Sequence, residues 1–123
     1  MSETPKRVLI FEDNASIQQL LAFFFKKRGY ATELVGDGVD AVALARRHSP
    51  ALILMDLLMP GKNGIEACAD LREAGVTAPI LMLTSKAFAE DRERALKAGA
   101  NAYLLKPFNP AQLEAAVAAL LKP

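Results

Sequence analysis

Four short apolar runs and a fifth, mixed segment alternate with stretches in which apolar residues recur every three or four positions. The runs have the length of β-strands and lie at residues 8–11, 31–35, 52–55, 80–83 and 102–105. The intervening spacing predicts five helices, around residues 17–25, 39–44, 65–71, 95–98 and 113–121. The third and fourth strands are almost continuously apolar, which is typical of parallel strands covered on both faces. The pattern therefore predicts an α/β fold with a five-stranded parallel sheet between two layers of helices.

Local residues indicate where several helices begin and end. Gly29 is a stop signal for the first helix, and Asp37 is the expected N-cap of the second. Asn109 followed by Pro110 is a start signal for the last helix, because proline suits the first helical position. The chain shows no linker, repeat or low-complexity tract, so we expect one domain over residues 1–123.

Composition and charge argue against several kinds of protein. A net charge of +1, from 15 basic and 14 acidic residues, gives no reason to expect nucleic acid or a membrane surface as a direct ligand. No apolar stretch has the length of a membrane span or a signal-peptide core, so we expect a cytoplasmic protein. The single Cys68 is interpreted as a small buried residue of the third helix without a redox role. His48, near the end of a predicted helix, is interpreted as structural.

Polar residues follow four of the strands at the point where each apolar run ends. In chain order they are Glu12 and Asp13, Asp56, Thr84, and Lys106. The carboxyl ends of parallel strands share one edge of the sheet, so these side chains are expected to converge. Three carboxylates in one place repel one another unless a cation compensates, and Mg²⁺ prefers such oxygen ligands. Asp56 is the candidate nucleophile, because a carboxylate can accept a phosphoryl group and form an acyl phosphate.

The motifs that contain these residues resemble the receiver domain of two-component response regulators. The similar segments are Leu-Ile-Phe-Glu-Asp-Asn at 9–14, Leu-Met-Asp-Leu-Leu-Met-Pro-Gly-Lys-Asn-Gly at 54–64, Met-Leu-Thr-Ser at 82–85 and Tyr-Leu-Leu-Lys-Pro-Phe at 103–108. The resemblance covers nearly the whole chain. It implies a CheY-like, flavodoxin-like (βα)5 three-layer sandwich that acts as a signalling switch. The phosphoryl donor would be a sensor histidine kinase or a histidine phosphotransfer protein, and the chain would catalyse only its own phosphorylation and dephosphorylation.

The resemblance implies how the acidic residues divide their work. Asp56 would be the phosphoacceptor and, with Asp13, a direct ligand of Mg²⁺. Glu12 would act on the metal through water, and Leu58 would contribute its backbone carbonyl. The apolar side chain of Leu58, together with Lys86, is also expected to hinder the water that hydrolyses the acyl phosphate.

The resemblance further implies a switch at the last two strands. Lys106 would pair with Asp56 before phosphorylation and neutralise the phosphoryl charge afterwards, with a cis bond to Pro107. Thr84 would donate its hydroxyl to a phosphoryl oxygen, and Tyr103 would then move between an exposed and an inward position. The alternative for Tyr103 is an ordinary strand aromatic.

Two surfaces are candidates for contacts with partners. Phe23 points away from the buried side of the first helix, and we expect it to contact the donor kinase. The last helix carries a smooth face of alanines at positions 111, 115, 116, 118 and 119, which either contacts an output partner or reflects helix propensity alone. The partner would be a downstream target protein or a covalently linked output domain, and both a stand-alone regulator and a fragment of a longer one remain open.

Three other functions compete with a phosphorylation switch. Aspartyl-phosphate hydrolases usually carry a second Asp two positions after the nucleophile, where this chain has Leu58. Nucleotide or flavin binders of this architecture need a glycine-rich first loop, and this first loop is acidic. A phosphorylation-independent interaction module is the most serious alternative.

Overall fold

Strands and helices alternate throughout the computed structural model, which describes residues 6–85 and 89–121. The strands are β1 (Arg7–Phe11), β2 (Ala31–Val35), β3 (Leu52–Asp56), β4 (Ile80–Thr84) and β5 (Ala102–Leu105). The helices are α1 (Ala15–Lys27), α2 (Ala41–His48), α3 (Gly64–Glu73), α4 (Ala89–Ala98) and α5 (Pro110–Leu120). All neighbouring strands are parallel, in the order β2-β1-β3-β4-β5. The predicted five-stranded parallel sheet is confirmed.

The core consists of two layers, one on each face of the sheet. Because successive strand residues point to opposite faces, β1 contributes Leu9 and Phe11 to one layer and Val8 and Ile10 to the other. The first layer is completed by buried residues of α2, α3 and α4, and the second by those of α1 and α5. Strands β3 and β4 are buried along their whole length, which confirms a three-layer sandwich.

Two of the three predicted helix signals are confirmed. Gly29, at a φ of 84°, follows the last turn of α1. Asn109 caps α5, accepting a hydrogen bond from the backbone N–H of Gln112 at 2.8 Å. The expected N-cap role of Asp37 is wrong, because Asp40 occupies that position without a side-chain capping bond. Asp37 instead accepts a bond from the backbone N–H of Val39 and closes a turn before the helix.

A tertiary contact explains why α2 begins late. A Cβ at Gly38 would lie 2.4 Å from the carbonyl oxygen of Lys62, so the segment before α2 packs directly on the loop that follows β3. That close approach holds the segment in a turn. Three apolar residues expected in the buried helical pattern, Leu20, Val39 and Leu96, are instead exposed. Leu20 and Leu96 lie outside the buried side of their helices, and Val39 lies in the turn before α2.

The described residues include no helix that is both long and apolar enough to cross a membrane. Cys68 is fully buried in α3, as predicted, with its Sγ 3.5 Å from the carbonyl oxygen of Ala98. Burial raises the pKa of the Cys68 thiol, which keeps it protonated. His48 lies in the last turn of α2 beside two arginines, Arg46 and Arg47, a position consistent with its structural interpretation.

Arg72 links three segments at the amino-terminal edge of the sheet. Its guanidinium donates four hydrogen bonds of 2.8 to 3.0 Å, to the carbonyl oxygens of Gly99, Val76 and Ala78 and to the Oδ1 of Asn101. The same Oδ1 accepts a bond from the first N–H of β4, at Ile80. Gly99 adopts a φ of 116°, and a Cβ there would lie 2.4 Å from the Cγ of Arg72. The segment therefore accommodates the arginine only because position 99 has no side chain.

Candidate functional site

The three acidic residues singled out in the sequence meet at the carboxyl-terminal edge of the sheet. Glu12 follows β1, Asp13 comes next in the chain, and Asp56 is the last residue of β3. Each contributes one carboxylate oxygen to a group whose members all lie within 4.8 Å of one another. Glu12 is fully buried and Asp56 is 6% exposed, whereas Asp13 is open to solvent. The cluster is therefore sunk into the sheet edge but reachable from one side.

Lys106 enters this cluster from the neighbouring end of β5. Its Nζ donates hydrogen bonds to Asp56 Oδ2 at 2.8 Å and to Glu12 Oε1 at 2.5 Å. Its backbone N–H donates to the carbonyl of Thr84 at 2.8 Å, which ties the lysine to the end of β4. The bond from Lys106 to Pro107 is cis, the isomer that the family resemblance implied and that the sequence alone left open. One ammonium is thus shared between two buried carboxylates.

Burial and charge shift the pKa values of this group in opposing ways. Burial raises the pKa of Glu12, and the charge of Asp56 adds to the rise, while bonds from Lys106 and from the N–H of Asn14 oppose it. For Lys106, burial is the largest influence and lowers the pKa, but the bonds and charges of Asp56 and Glu12 together outweigh burial and raise it. Three carboxylates and one ammonium leave surplus negative charge at this edge when all are ionised. A divalent cation would compensate it.

The loop after β3 holds Asp56 in place. The backbone N–H of Leu58 donates to Asp56 Oδ1 at 3.0 Å, and the Leu58 side chain is half exposed. Gly64 was not singled out as a site residue, yet a Cβ there would lie 2.4 Å from the Asp56 carbonyl oxygen. Its place at the end of the 54–64 motif, where α3 begins, was the available signal. Lys86, expected to assist Leu58, lies outside the described residues.

Thr84 and Tyr103 are adjacent, as a switch that couples them requires. Thr84 is fully buried at the end of β4, and Tyr103 is half-buried on β5, two pairs back in the strand register. Burial is the main cause that raises the pKa of Tyr103, and the charge of Asp91 adds to it. A side-chain hydrogen bond with Thr84 acts in the opposite direction. The hydroxyls of the two residues are therefore already linked.

An apolar groove runs from the site along the surface between α1 and α5. The end nearest the acidic cluster is a cavity of about 290 Å³, lined by Ile17, Leu20, Ser85, Lys106, Pro107 and Phe108. A second cavity of about 240 Å³ continues past Leu20 to Phe23 and Leu113. Phe23 is 64% exposed, so its predicted outward orientation is confirmed. The Lys27 ammonium lies 5.6 Å from the centre of its ring.

Fold and site together define this chain as a member of the response regulator receiver domain family, whose sequence pattern it matches over residues 8–118. Receiver domains are signalling switches of two-component systems and not turnover enzymes. The family resemblance and the CheY-like fold predicted from the sequence are confirmed.

Individual relatives support the same assignment. The chain is 40% identical to the DNA-binding response regulator MtrA of Mycobacterium tuberculosis over 99% of its own length and 53% of that protein. It therefore spans about half the length of the curated relatives it matches. The chemotaxis protein CheY4 of Vibrio cholerae is 32% identical, with a TM-score of 0.88, and the match covers 96% of this chain and 100% of that one.

A further structural relative holds a metal. The receiver domain of the sensor histidine kinase PA1611 from Pseudomonas aeruginosa is 36% identical, with a TM-score of 0.86, over 98% of this chain and 100% of that one. Its structure contains a magnesium ion coordinated in the active site cleft.

Proposed function

We propose that residues 1–123 form the receiver domain of a two-component phosphorelay and that Asp56 is its phosphoacceptor. A carboxylate oxygen of Asp56 would attack the phosphorus of a phosphohistidine, forming the O–P bond of an acyl phosphate while the P–N bond to the donor imidazole breaks. The observation that carries the proposal is the convergence of Asp56 with two further carboxylates and the Lys106 ammonium at a reachable sheet edge. Bringing three carboxylates together is electrostatically unfavourable, so the stability of the fold does not explain this grouping.

The donor set fits Mg²⁺. Asp13 and Asp56 offer carboxylate oxygens directly, Glu12 lies deeper behind Lys106, and the Leu58 carbonyl follows Asp56 by two residues. When bound, the metal would neutralise the carboxylates and the oxygens of the transferred phosphoryl group. The magnesium in the cleft of the PA1611 receiver domain supports this assignment.

Lys106 and Thr84 are the groups that would respond to phosphorylation. Before transfer, Lys106 is held by Asp56 and Glu12. The phosphoryl group brings new acceptor oxygens, to which the ammonium and the Thr84 hydroxyl would donate charge-assisted hydrogen bonds. Because Thr84 is bonded to Tyr103, its movement toward the phosphoryl group would change the position of the tyrosine. This is how the chemical event would reach the surface.

The groove between α1 and α5 is the surface that we assign to the phosphoryl donor. It opens onto Lys106 and Ser85 at one end, next to Asp56, and it exposes Leu20 and Phe23. A sensor histidine kinase or a histidine phosphotransfer protein would place its histidine at the site while packing apolar side chains against this groove. The output partner, either a separate target protein or a linked output domain, would contact the face formed by α4, β5 and α5. Leu96 and Leu105 are exposed on that face.

The proposal does not assign direct binding of nucleic acid or insertion into a membrane to these residues. DNA binding is a property named for MtrA, and this chain spans about half of that protein. The cytoplasmic location stays a prediction.

Intact mass spectrometry with acetyl phosphate as a small donor tests the central step. We expect a gain of one phosphoryl group that requires Mg²⁺ and is absent from Asp56→Asn. Asp40→Asn is the matched control, because Asp40 is exposed, makes no side-chain capping bond and lies outside the cluster. No gain under any condition would contradict the proposal and favour a phosphorylation-independent interaction module.

A further inference from the structure

The side chain of Gln18 reaches back from α1 to the end of β1. Its Nε2 donates a hydrogen bond of 2.5 Å to the backbone carbonyl of Glu12. Gln18 lies in the first turns of α1 and is only partly exposed, whereas the adjacent Gln19 is exposed. None of the roles assigned above to the site uses this contact.

The carbonyl that Gln18 binds belongs to the peptide between two of the three acidic residues. A peptide unit is planar, so fixing the Glu12 carbonyl also fixes the direction of the Asp13 N–H and limits where Asp13 leaves the strand. Hydrogen bonds also hold the backbone N–H and the carboxylate of Glu12. Its N–H donates to the carbonyl of Val35 at 2.9 Å, and its carboxylate accepts from Asn14 and Lys106. Gln18 completes that set.

Asp13 has no comparable support of its own. Within residues 6–85 and 89–121, its carboxylate takes part in no hydrogen bond or ion pair, and it is exposed to solvent. Its place in the cluster therefore depends on the backbone on either side. Asn14, which follows it, is fixed as the N-cap of α1 by the bond from the Ile17 N–H at 3.0 Å. The peptide before it is fixed by Gln18.

We propose that Gln18 is a positioning residue for the metal site, which acts by holding the peptide between Glu12 and Asp13 so that the Asp13 carboxylate faces Asp56. This inference rests on the proposed function, since it concerns the same Mg²⁺ site. Ile17 and Leu20, on the same two turns of α1, line the groove assigned to the donor. A donor that packs on this part of α1 would therefore stabilise the segment that orients the metal ligand.

Isothermal titration calorimetry with MgCl₂ tests this role on the unaltered chain and three variants. Gln18→Leu and Gln18→Met remove the donor group at similar size, and Gln19→Leu is the matched control on the neighbouring exposed glutamine. We expect both Gln18 variants to bind Mg²⁺ about tenfold more weakly, as is typical when a group that orients a metal ligand is lost. Gln19→Leu should bind Mg²⁺ as the unaltered chain does.

Urea unfolding in EDTA separates positioning from a general loss of stability. A merely structural role would lower the unfolding midpoint of the Gln18 variants in EDTA without a change in their Mg²⁺ affinity, and that result would overturn the inference. An equal loss of affinity in Gln19→Leu would also overturn it. If one Gln18 variant does not fold, the other carries the test. Failure of the unaltered chain to bind Mg²⁺ would instead contradict the proposed function, and the inference would fall with it.

Discussion

Two networks, each centred on one cation, lie at opposite edges of the same sheet. At the carboxyl-terminal edge, Lys106 is bonded to the carboxylates of Asp56 and Glu12, with Asp13 close by. At the amino-terminal edge, Arg72 donates four bonds to neutral oxygens of backbone and amide groups. Within the described residues Arg72 takes part in no ion pair. Both networks join segments that are distant in sequence, but only one contains surplus charge.

That difference separates a structural network from a chemical one. The Arg72 network is complete, because a planar guanidinium matches several fixed acceptors at once and none of them ionises. The Lys106 network is incomplete, because three carboxylates share one ammonium. We expect a second cation to stabilise it, and the proposed phosphoryl transfer would rearrange its hydrogen bonds. Function is therefore assigned to the edge where the electrostatic balance is unfavourable.

Replacing Arg72 with Met should cause the largest loss of stability among the following tests. Three carbonyls and the Asn101 amide would lose a charged donor, and we expect the free energy of unfolding to fall by about 3 kcal/mol. Urea unfolding measures this fall, with Arg94→Met on the exposed side of α4 as the control. The increase in stability on adding Mg²⁺ should be unchanged. Loss of that increase would contradict the division between the two edges.

Replacing Asp13 with Asn should have the opposite effects: stability without Mg²⁺ is kept, and the increase in stability on adding Mg²⁺ is lost. In EDTA the variant should be at least as stable as the unaltered chain, because one of three mutually repelling carboxylates is removed. Mg²⁺ at about 100 times its dissociation constant should stabilise the unaltered chain by about 2.7 kcal/mol, and the variant should lose most of that gain. Urea unfolding with and without Mg²⁺ measures both effects. A destabilised variant that still responds fully to Mg²⁺ would show that Asp13 is not a ligand.

Replacing Phe23 with Ala tests the donor groove. Loss of this 64% exposed ring should slow phosphoryl transfer from a histidine kinase that phosphorylates the chain by about tenfold, the size expected for an aromatic anchor in an interface. Labelling by acetyl phosphate should be unchanged. Leu34→Ala, which removes an exposed side chain on β2, is the control. Equal slowing with both phosphoryl donors would refute a docking role.

Replacing Leu58 with Asn should have the smallest effect. The leucine follows Asp56 by two residues and its side chain is half exposed, so we expect it to hinder the approach of water to the acyl phosphate. A polar residue there should speed loss of the phosphoryl group. We expect about a threefold faster decay, which corresponds to about 0.7 kcal/mol in the barrier. Intact mass measured over time after removal of acetyl phosphate follows the decay. Slower decay in the variant would contradict the shielding role.

The five parallel strands and the acidic cluster could be predicted because both follow from the local pattern of apolar and polar residues. A nearly continuous apolar run identifies a buried parallel strand, and the residue after it must lie at the shared edge. Asp56 and Lys106 therefore come together in the structure as the sequence indicated. Their chemical roles stay proposals, since geometry alone does not transfer a phosphoryl group.

The features that sequence reasoning missed all depend on contacts between different helices, strands and loops, which form only in the folded chain. Asp37 has the residue type of an N-cap, but the packing of Gly38 on Lys62 moves the start of α2 to later residues. Gln18 is a residue type that is common on solvated helix surfaces, and its contact with Glu12 forms only when α1 is folded against β1. The four acceptors of Arg72 are mostly backbone carbonyls, which leave no mark in the sequence.

The contrast between the two edges is tested most directly by recording amide NMR spectra of the unaltered chain while MgCl₂ is added. We expect saturable shifts at residues 12–14, 56–58, 84 and 106, and none at 72, 76, 78 and 99–101. Asp13→Asn should abolish the shifts at the first set. Shifts of similar size at both edges, or none at residues 12–14 and 56–58, would contradict the account.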